Sequence, residues 1–155
     1  MSCASQRVPA HRMPRVANVQ VVCYALTDQT SWWRDNITSA VVVKSLTKVD
    51  HPDAAAAIRA DRIDVLIDLN GLTEGSGLGI MAHRPAPVQA TFLGYVGTLN
   101  VPYVDYIFTD AVISPPELSS CYSEHMVRSH VCFVHGCGCG CSCGLAARFY
   151  SRAEG

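Results

Sequence analysis

The nine residues Ile63–Gly71 read IDVLIDLNG, and they continue through LTEGSGLGIMAHRPAP into a second apolar run, VQATFL, at Val88–Leu93. The unbroken Val65-Leu66-Ile67 centre predicts a strand covered on both faces, as strands of a parallel sheet are. Asn70-Gly71 ends it with turn chemistry, and a glycine-bearing loop separates it from the next strand. An apolar strand, a polar loop, a short helix ending before Arg84-Pro85 and a further strand together make an α/β unit.

The same grammar extends in both directions. Upstream, Val19–Leu26 (VQVVCYAL) and Val41–Leu46 (VVVKSL) are strand candidates, and Ser31–Ala40 (SWWRDNITSA) is a helix in which Trp33, Ile37 and Ala40 form the better packing stripe. Asp50 precedes His51-Pro52 and the alanine-rich DAAAAIRADR, so an N-cap, an early proline and a strong helix former coincide there. Downstream, Tyr103–Phe108 is a strand and Pro115-Pro116-Glu117 opens a short helix running to about Tyr122. Strands alternating with helices predict a Rossmann-like, mostly parallel α/β sheet.

The chain has 155 residues, 49% of them hydrophobic and 16% charged, enough to bury the core of one domain. A net charge of −1 offers no footprint for a polyanion, so nucleic acid is not an expected partner. No apolar stretch approaches the roughly 20 residues of a membrane span. Residues 1–17 have no apolar segment of a secretory signal and read as a disordered leader. Cys3, Cys23 and Cys121 are scattered, which points to a reducing compartment, cytoplasmic or nuclear.

The end breaks the pattern. His135–Gly144 reads HGCGCGCSCG, and residues 134–155 as a whole are expected to be a Cys/Gly-rich tail, disordered or non-native. Alternating thiolates can hold a soft metal, but the CxxC pair of familiar zinc sites is missing, and no metal site is expected.

In an open α/β sheet, ligands sit beyond the carboxyl ends of the strands. The loops after Leu69 (NGLTEGSGLG) and after Leu93 (GYVGTLN) lie there, and their glycines let a ligand approach backbone amides. Gly77, Gly79 and Ala82 satisfy the loose dinucleotide pattern G-x-G-x-x-A, but a polar loop intervenes between strand and pattern, against the fingerprint. Arg84 is able to fork onto a carboxylate or phosphate, or to cap a helix end. Asp68 is either a base or an acceptor for the amides of its own turn. His83 is a possible proton shuttle or simply solvated. No nucleophile–base pair and no matched carboxylates stand out, so no catalytic residue is assigned.

Four stretches in order, ADRIDVLIDLNGLTEGS, RPAPVQATFLGYVGT, VDYIFTD and ISPPELSSCYSE, resemble the catalytic region of the protein O-linked N-acetylglucosamine transferases and of the related SPINDLY proteins, which transfer fucose. The likeness begins with VQVVCYALTDQTSWWRDNI and covers about Val19 to Val131. It implies a GT-B glycosyltransferase, and places residues 18–133 in part of its N-terminal lobe. Implied with it are a nucleotide-sugar donor, UDP-N-acetylglucosamine or GDP-fucose, protein Ser/Thr acceptors, no cofactor, and inverting transfer. The repeats, the segment with the family's active-site His and the UDP-binding lobe would lie outside this stretch. The family's LGYPGT loop corresponds to Leu93-Gly94-Tyr95-Val96-Gly97-Thr98, with Val96 in place of Pro; Glu74 and His83 also depart from the pattern. Leu93, Gly94, Val96, Thr73 and Arg84 are the implied substrate-binding residues. The alternatives are a non-catalytic α/β binding or scaffold fragment and a Cys-rich metal-binding protein.

Overall fold

The computed structural model describes residues 19–29, 32–92, 94–129 and 145–151. In chain order the elements are β1 (Val19–Gln20), β2 (Val22–Ala25), α1 (Trp32–Ala40), β3 (Val42–Ser45), α2 (His51–Ala60), β4 (Val65–Asp68), α3 (Leu78–Met81), β5 (Val88–Phe92), β6 (Tyr106–Asp110), a 3₁₀ helix (Pro116–Cys121), β7 (His125–Ser129) and β8 (Leu145–Ser151). One sheet runs in the order β3-β2-β8-β4-β5-β6-β7, with β1 paired to β8. The β2–β3, β4–β5, β5–β6 and β6–β7 pairs are parallel, as the alternating sequence predicts, whereas β8 is antiparallel to each strand it touches.

That last strand departs from the structureless tail expected over 134–155. LAARFYS contains neither glycine nor proline and carries two aromatic residues, so it is strand-compatible where the preceding Gly-Cys alternation is not. Cys137, Cys139, Cys141 and Cys143 lie outside the described residues, as do the leader 1–17 and Leu93.

The helix α2 is built as its sequence dictates. Asp50 is the N-cap and its carboxylate accepts from the Asp53 amide at 2.9 Å, with Pro52 inside the first turn. Ala54, Ala55 and Ile58 form the buried stripe, and Asp61 closes the helix. The Asp61 carboxylate accepts from the Tyr24 hydroxyl at 2.7 Å and pairs with Lys44 at 2.5 Å, tying the helix end to β2 and β3. Tyr24, Ile58, Leu66 and Met81 are nearly fully buried in one core with Val22, Leu46, Ile63, Ile80, Leu99 and Val104. Among the described side chains of α1 none is buried: Ile37 is half-buried and Trp32 and Ala40 are exposed, while the Trp33 side chain of the expected stripe lies outside those described.

Under the amino ends of the sheet, Gln89 is fully buried and donates its amide to the Met81 and Tyr103 carbonyls. Asp105 accepts from the Gln89 backbone amide and from Arg84. This set fixes where α3 hands the chain back to β5. The strand read at Tyr103–Phe108 begins three residues later, at Tyr106: the Tyr103 carbonyl is taken by Arg84 and Gln89, while the Asp105 backbone already bonds Gln89 and His125 on either side.

Candidate functional site

Two loops leave the carboxyl ends of the neighbouring parallel strands β4 and β5, residues 69–77 and 94–99. The first is tied to itself. Asp68, 3% exposed, accepts the Gly71 amide at 2.5 Å. The buried Asn70 donates its side-chain amide to the Gly75 carbonyl at 2.7 Å, and its own carbonyl takes the Thr73 amide and hydroxyl. Ser76 donates its hydroxyl to the Gly71 carbonyl at 2.7 Å. Gly71 has φ +56°, a left-handed conformation that L side chains rarely adopt, and a Cβ there would strike Tyr95 Cβ.

The second loop is seated on the first. A Cβ added at Gly94 would lie 2.5 Å from Asn70 Cα and from the Leu69 carbonyl carbon, and closer still to the Leu69 oxygen. Backbone therefore packs on backbone, and only glycine fits. Beyond it the loop projects Tyr95, 38% exposed, and Val96, 59% exposed, and Leu72 of the first loop is exposed as well. Its far limb is held by the turn before β7. The Tyr122 hydroxyl donates to the Val96 carbonyl at 3.2 Å, and Glu124 accepts from the Thr98 hydroxyl and the Leu99 amide, each at 2.7 Å.

Of the residues implied for the substrate, the structure brings Thr73, Gly94 and Val96 to this pair of loops. Thr73 and Val96 are exposed on it, whereas Gly94 is occupied by the Leu69–Asn70 backbone. Leu93 lies outside the described residues. Arg84 is not brought there. It follows α3, which returns the chain to the amino ends of the sheet, and its guanidinium is engaged by Asp105 at 2.9 Å and by the Tyr103 carbonyl at 3.2 Å. The sequence offered both a fork and a cap for this residue; what it makes is a corner bracket.

Asp68 resolves in the same way. Burial pushes its carboxyl above the ordinary range, while the amides of Gly71 and Asn70 pull part of the way back. It is the acceptor for its own turn. His83 is exposed, and its carbonyl accepts from Arg59. Among the described residues no group of three or more His, Cys, Asp or Glu side chains could hold a metal ion, and no helix is long and apolar enough to cross a membrane. The loops thus present turn amides, hydroxyls and an apolar rim, a surface that can bind a polar ligand but carries no assembled general base.

The residue that sequence reasoning passed over is Glu124. It appears in SCYSEH as one more charge in a polar connection, yet it is 4% exposed. No periodicity marks it, since its partners are 25 and 26 residues away.

The sequence profile of glycosyl transferase family 41 matches residues 2–137. Over 118 residues the chain is 36% identical to the probable UDP-N-acetylglucosamine–peptide N-acetylglucosaminyltransferase SEC of Arabidopsis thaliana, covering 75% of this chain and 12% of that protein. The Arabidopsis SPINDLY protein is 42% identical over 93 residues, 60% of this chain and 10% of its own length. The UDP-N-acetylglucosamine–peptide N-acetylglucosaminyltransferase of Caenorhabditis elegans is 36% identical over 122 residues, 76% of this chain and 11% of its own. A solved structure, a mutant O-GlcNAc transferase of Thermobaculum terrenum, superposes with a TM-score of 0.68 at 28% identity, over 70% of this chain and 21% of that one. The chain therefore spans about a tenth of the length of these curated relatives, and its mostly parallel α/β sheet corresponds to part of a GT-B lobe. By the profile match and the ordered likeness to these relatives, the chain belongs to glycosyl transferase family 41.

Proposed function

We propose that residues 18–133 form one wall of the nucleotide-sugar cleft of a protein O-glycosyltransferase. The reaction moves N-acetylglucosamine from UDP-N-acetylglucosamine, with GDP-fucose as the alternative donor, to Ser or Thr hydroxyls of proteins. The observation that supports this reading is the pair of interlocked loops at the carboxyl ends of β4 and β5, where open parallel sheets receive their ligands. Thr73, Val96 and the turn amides of the two loops would meet the donor. Transfer also requires a base for the acceptor hydroxyl and charge stabilisation for the departing diphosphate. Neither is assembled among the described residues, so this wall binds and orients rather than completes the reaction. The free thiol of Cys23 suits a reducing compartment, cytoplasm or nucleus.

The test is a titration of the isotopically labelled chain with UDP-N-acetylglucosamine and, separately, GDP-fucose, followed through backbone amide signals. Saturable shifts at Gly71, Thr73 and Gly97, with Arg84 and Asp105 unmoved, are expected. Shifts confined to the Arg84–Asp105 corner, or none with either donor, would overturn the reading. A non-catalytic binding fragment is the second reading. It is favoured by the use of Asp68 as a turn acceptor, and donor shifts without transfer in the presence of the remaining polypeptide would support it.

A further inference from the structure

We infer that Glu124 is the positioning residue of the 94–99 loop: a buried carboxylate that grips its far end and holds Tyr95–Gly97 in one conformation for the donor. The inference rests on the reading that this loop faces the sugar nucleotide. It starts from a run of three consecutive residues. Tyr122 donates its hydroxyl to the Val96 carbonyl, the Ser123 amide donates to Thr98 Oγ1 at 3.3 Å, and Glu124 accepts from the Thr98 hydroxyl through Oε2 and from the Leu99 amide through Oε1. Thr98 Oγ1 also accepts the Asn100 amide at 3.1 Å, so its own proton is directed to the carboxylate. The loop is thereby pinned at both ends, by backbone packing at Gly94 and by Glu124 at Thr98–Leu99.

The choice of residue is informative. A glutamate is almost never this buried unless it is paired, because desolvating the charge is costly. An apolar side chain would fill the same space without that cost. What the carboxylate adds is two bonds to the limb of one loop, across 25 residues of chain. Hydrogen bonds to an ionised acceptor are roughly twice as strong as neutral ones, which suits a short loop with two exposed residues at its crest.

The experiment measures amide hydrogen exchange and donor titration on the full chain and on Glu124→Ala, Glu124→Gln and Thr98→Val. In Glu124→Ala, exchange at the Leu99 amide should rise about tenfold or more, in keeping with the loss of a buried charged hydrogen bond. Ile67 and Ala90 in the sheet should change no more than about threefold, and the donor-induced shift at Gly97 should require several-fold more donor. Glu124→Gln keeps one neutral acceptor for Leu99 but loses the charge and the second acceptor, and should fall between wild type and Glu124→Ala in both readouts. Should Glu124→Ala fail to fold, Thr98→Val removes the hydroxyl bond to Glu124 together with the acceptor of the Ser123 and Asn100 amides but leaves the Leu99 bond, and a smaller, local acceleration at Leu99 is expected. Equal acceleration at Leu99, Ile67 and Ala90 would reduce Glu124 to a general stabiliser and overturn the inference. So would a loosened loop with unchanged donor response, or unaltered exchange in all variants. A wild-type chain that shows no donor response overturns the functional reading alone, and the grip on the loop is then judged by the exchange rates.

Discussion

Replacing Gly94 by alanine adds one methyl group and should cost more than its size suggests. Its Cβ would sit 2.5 Å from Asn70 Cα and from the Leu69 carbonyl carbon. Comfortable carbon–carbon separations are about 3.5–4.0 Å, so the two loops must part by roughly 1 Å. Both neighbours are backbone at the end of β4, and neither can rotate away as a side chain would. Overpacking costs about 1–3 kcal/mol, and the rigid surroundings argue for the upper end. For a domain of about this size that corresponds to a fall of roughly 6–12 °C in Tm. Gly97→Ala is the matched control. A Cβ there would lie 3.0 Å from the edge of the exposed Tyr95 ring, the far end of a side chain rather than backbone, so a small ring displacement relieves it. Its cost should stay within about 0.5 kcal/mol, as for ordinary surface changes. The assay is thermal and urea unfolding of the three proteins side by side. Gly94→Ala within about 0.5 kcal/mol of wild type, or no worse than Gly97→Ala, would refute the reasoning and free Gly94 to contact the donor directly.

Asp68→Asn keeps an acceptor for the Gly71 amide and removes a charge that burial disfavours. Because the folded-state value lies above the ordinary 3.8, the wild-type carboxyl contributes its full stability below that value and loses it as pH rises through the folded value. The variant should therefore gain on wild type toward neutral pH and lose that advantage in acid, read from urea unfolding between about pH 3 and pH 7; an advantage that grows in acid would contradict the account. Arg84→Ala breaks a half-exposed ion pair and should cost no more than about 1 kcal/mol while leaving the donor titration unchanged; a weakened donor response would return Arg84 to the site. The chain alone should not transfer sugar from either radiolabelled donor to a Ser/Thr peptide. Loss of the base alone costs roughly 10²–10⁴-fold in rate, and loss of the diphosphate stabilisation at least a further ~3 kcal/mol, so incorporation above a heat-killed control would be decisive against this expectation.

Where local chemistry decides the conformation, the sequence was a sufficient guide. Asp50, Pro52 and the alanines specify α2 without help from the rest of the chain, and the β-branched or apolar runs at Val42, Val65 and Val88 fall where strands are found. The ordered likeness to a glycosyltransferase family carried the fold class further than periodicity could. Neighbours distant in sequence were not legible. Arg84 was open to reading as a helix cap or, through the family likeness, as a substrate ligand until Asp105 was brought beside it. Gly94 invited a ligand, and the contact it makes is with Leu69 and Asn70. β7 begins in HMVRS, too mixed to read alone, and it takes its place by pairing with β6. Leu145–Ser151 was obscured by the cysteine-rich run before it, which biased the whole end toward disorder.

The seating of Gly94 on Leu69–Asn70, together with Tyr95 over Gly71, bears on how these loops can be exchanged among members of the family. A loop that touches only solvent can be grafted from one protein to another. These two cannot be grafted separately, because each supplies the other's floor. A chimera that imports residues 94–99 from a relative, but keeps its own 69–77, meets a mismatched surface and should lose stability. Substitutions across the contact should be non-additive, as for any touching pair. Recombination that respects this molecule would exchange the two loops as one inherited unit, with Tyr122–Glu124 carried along to hold the far limb.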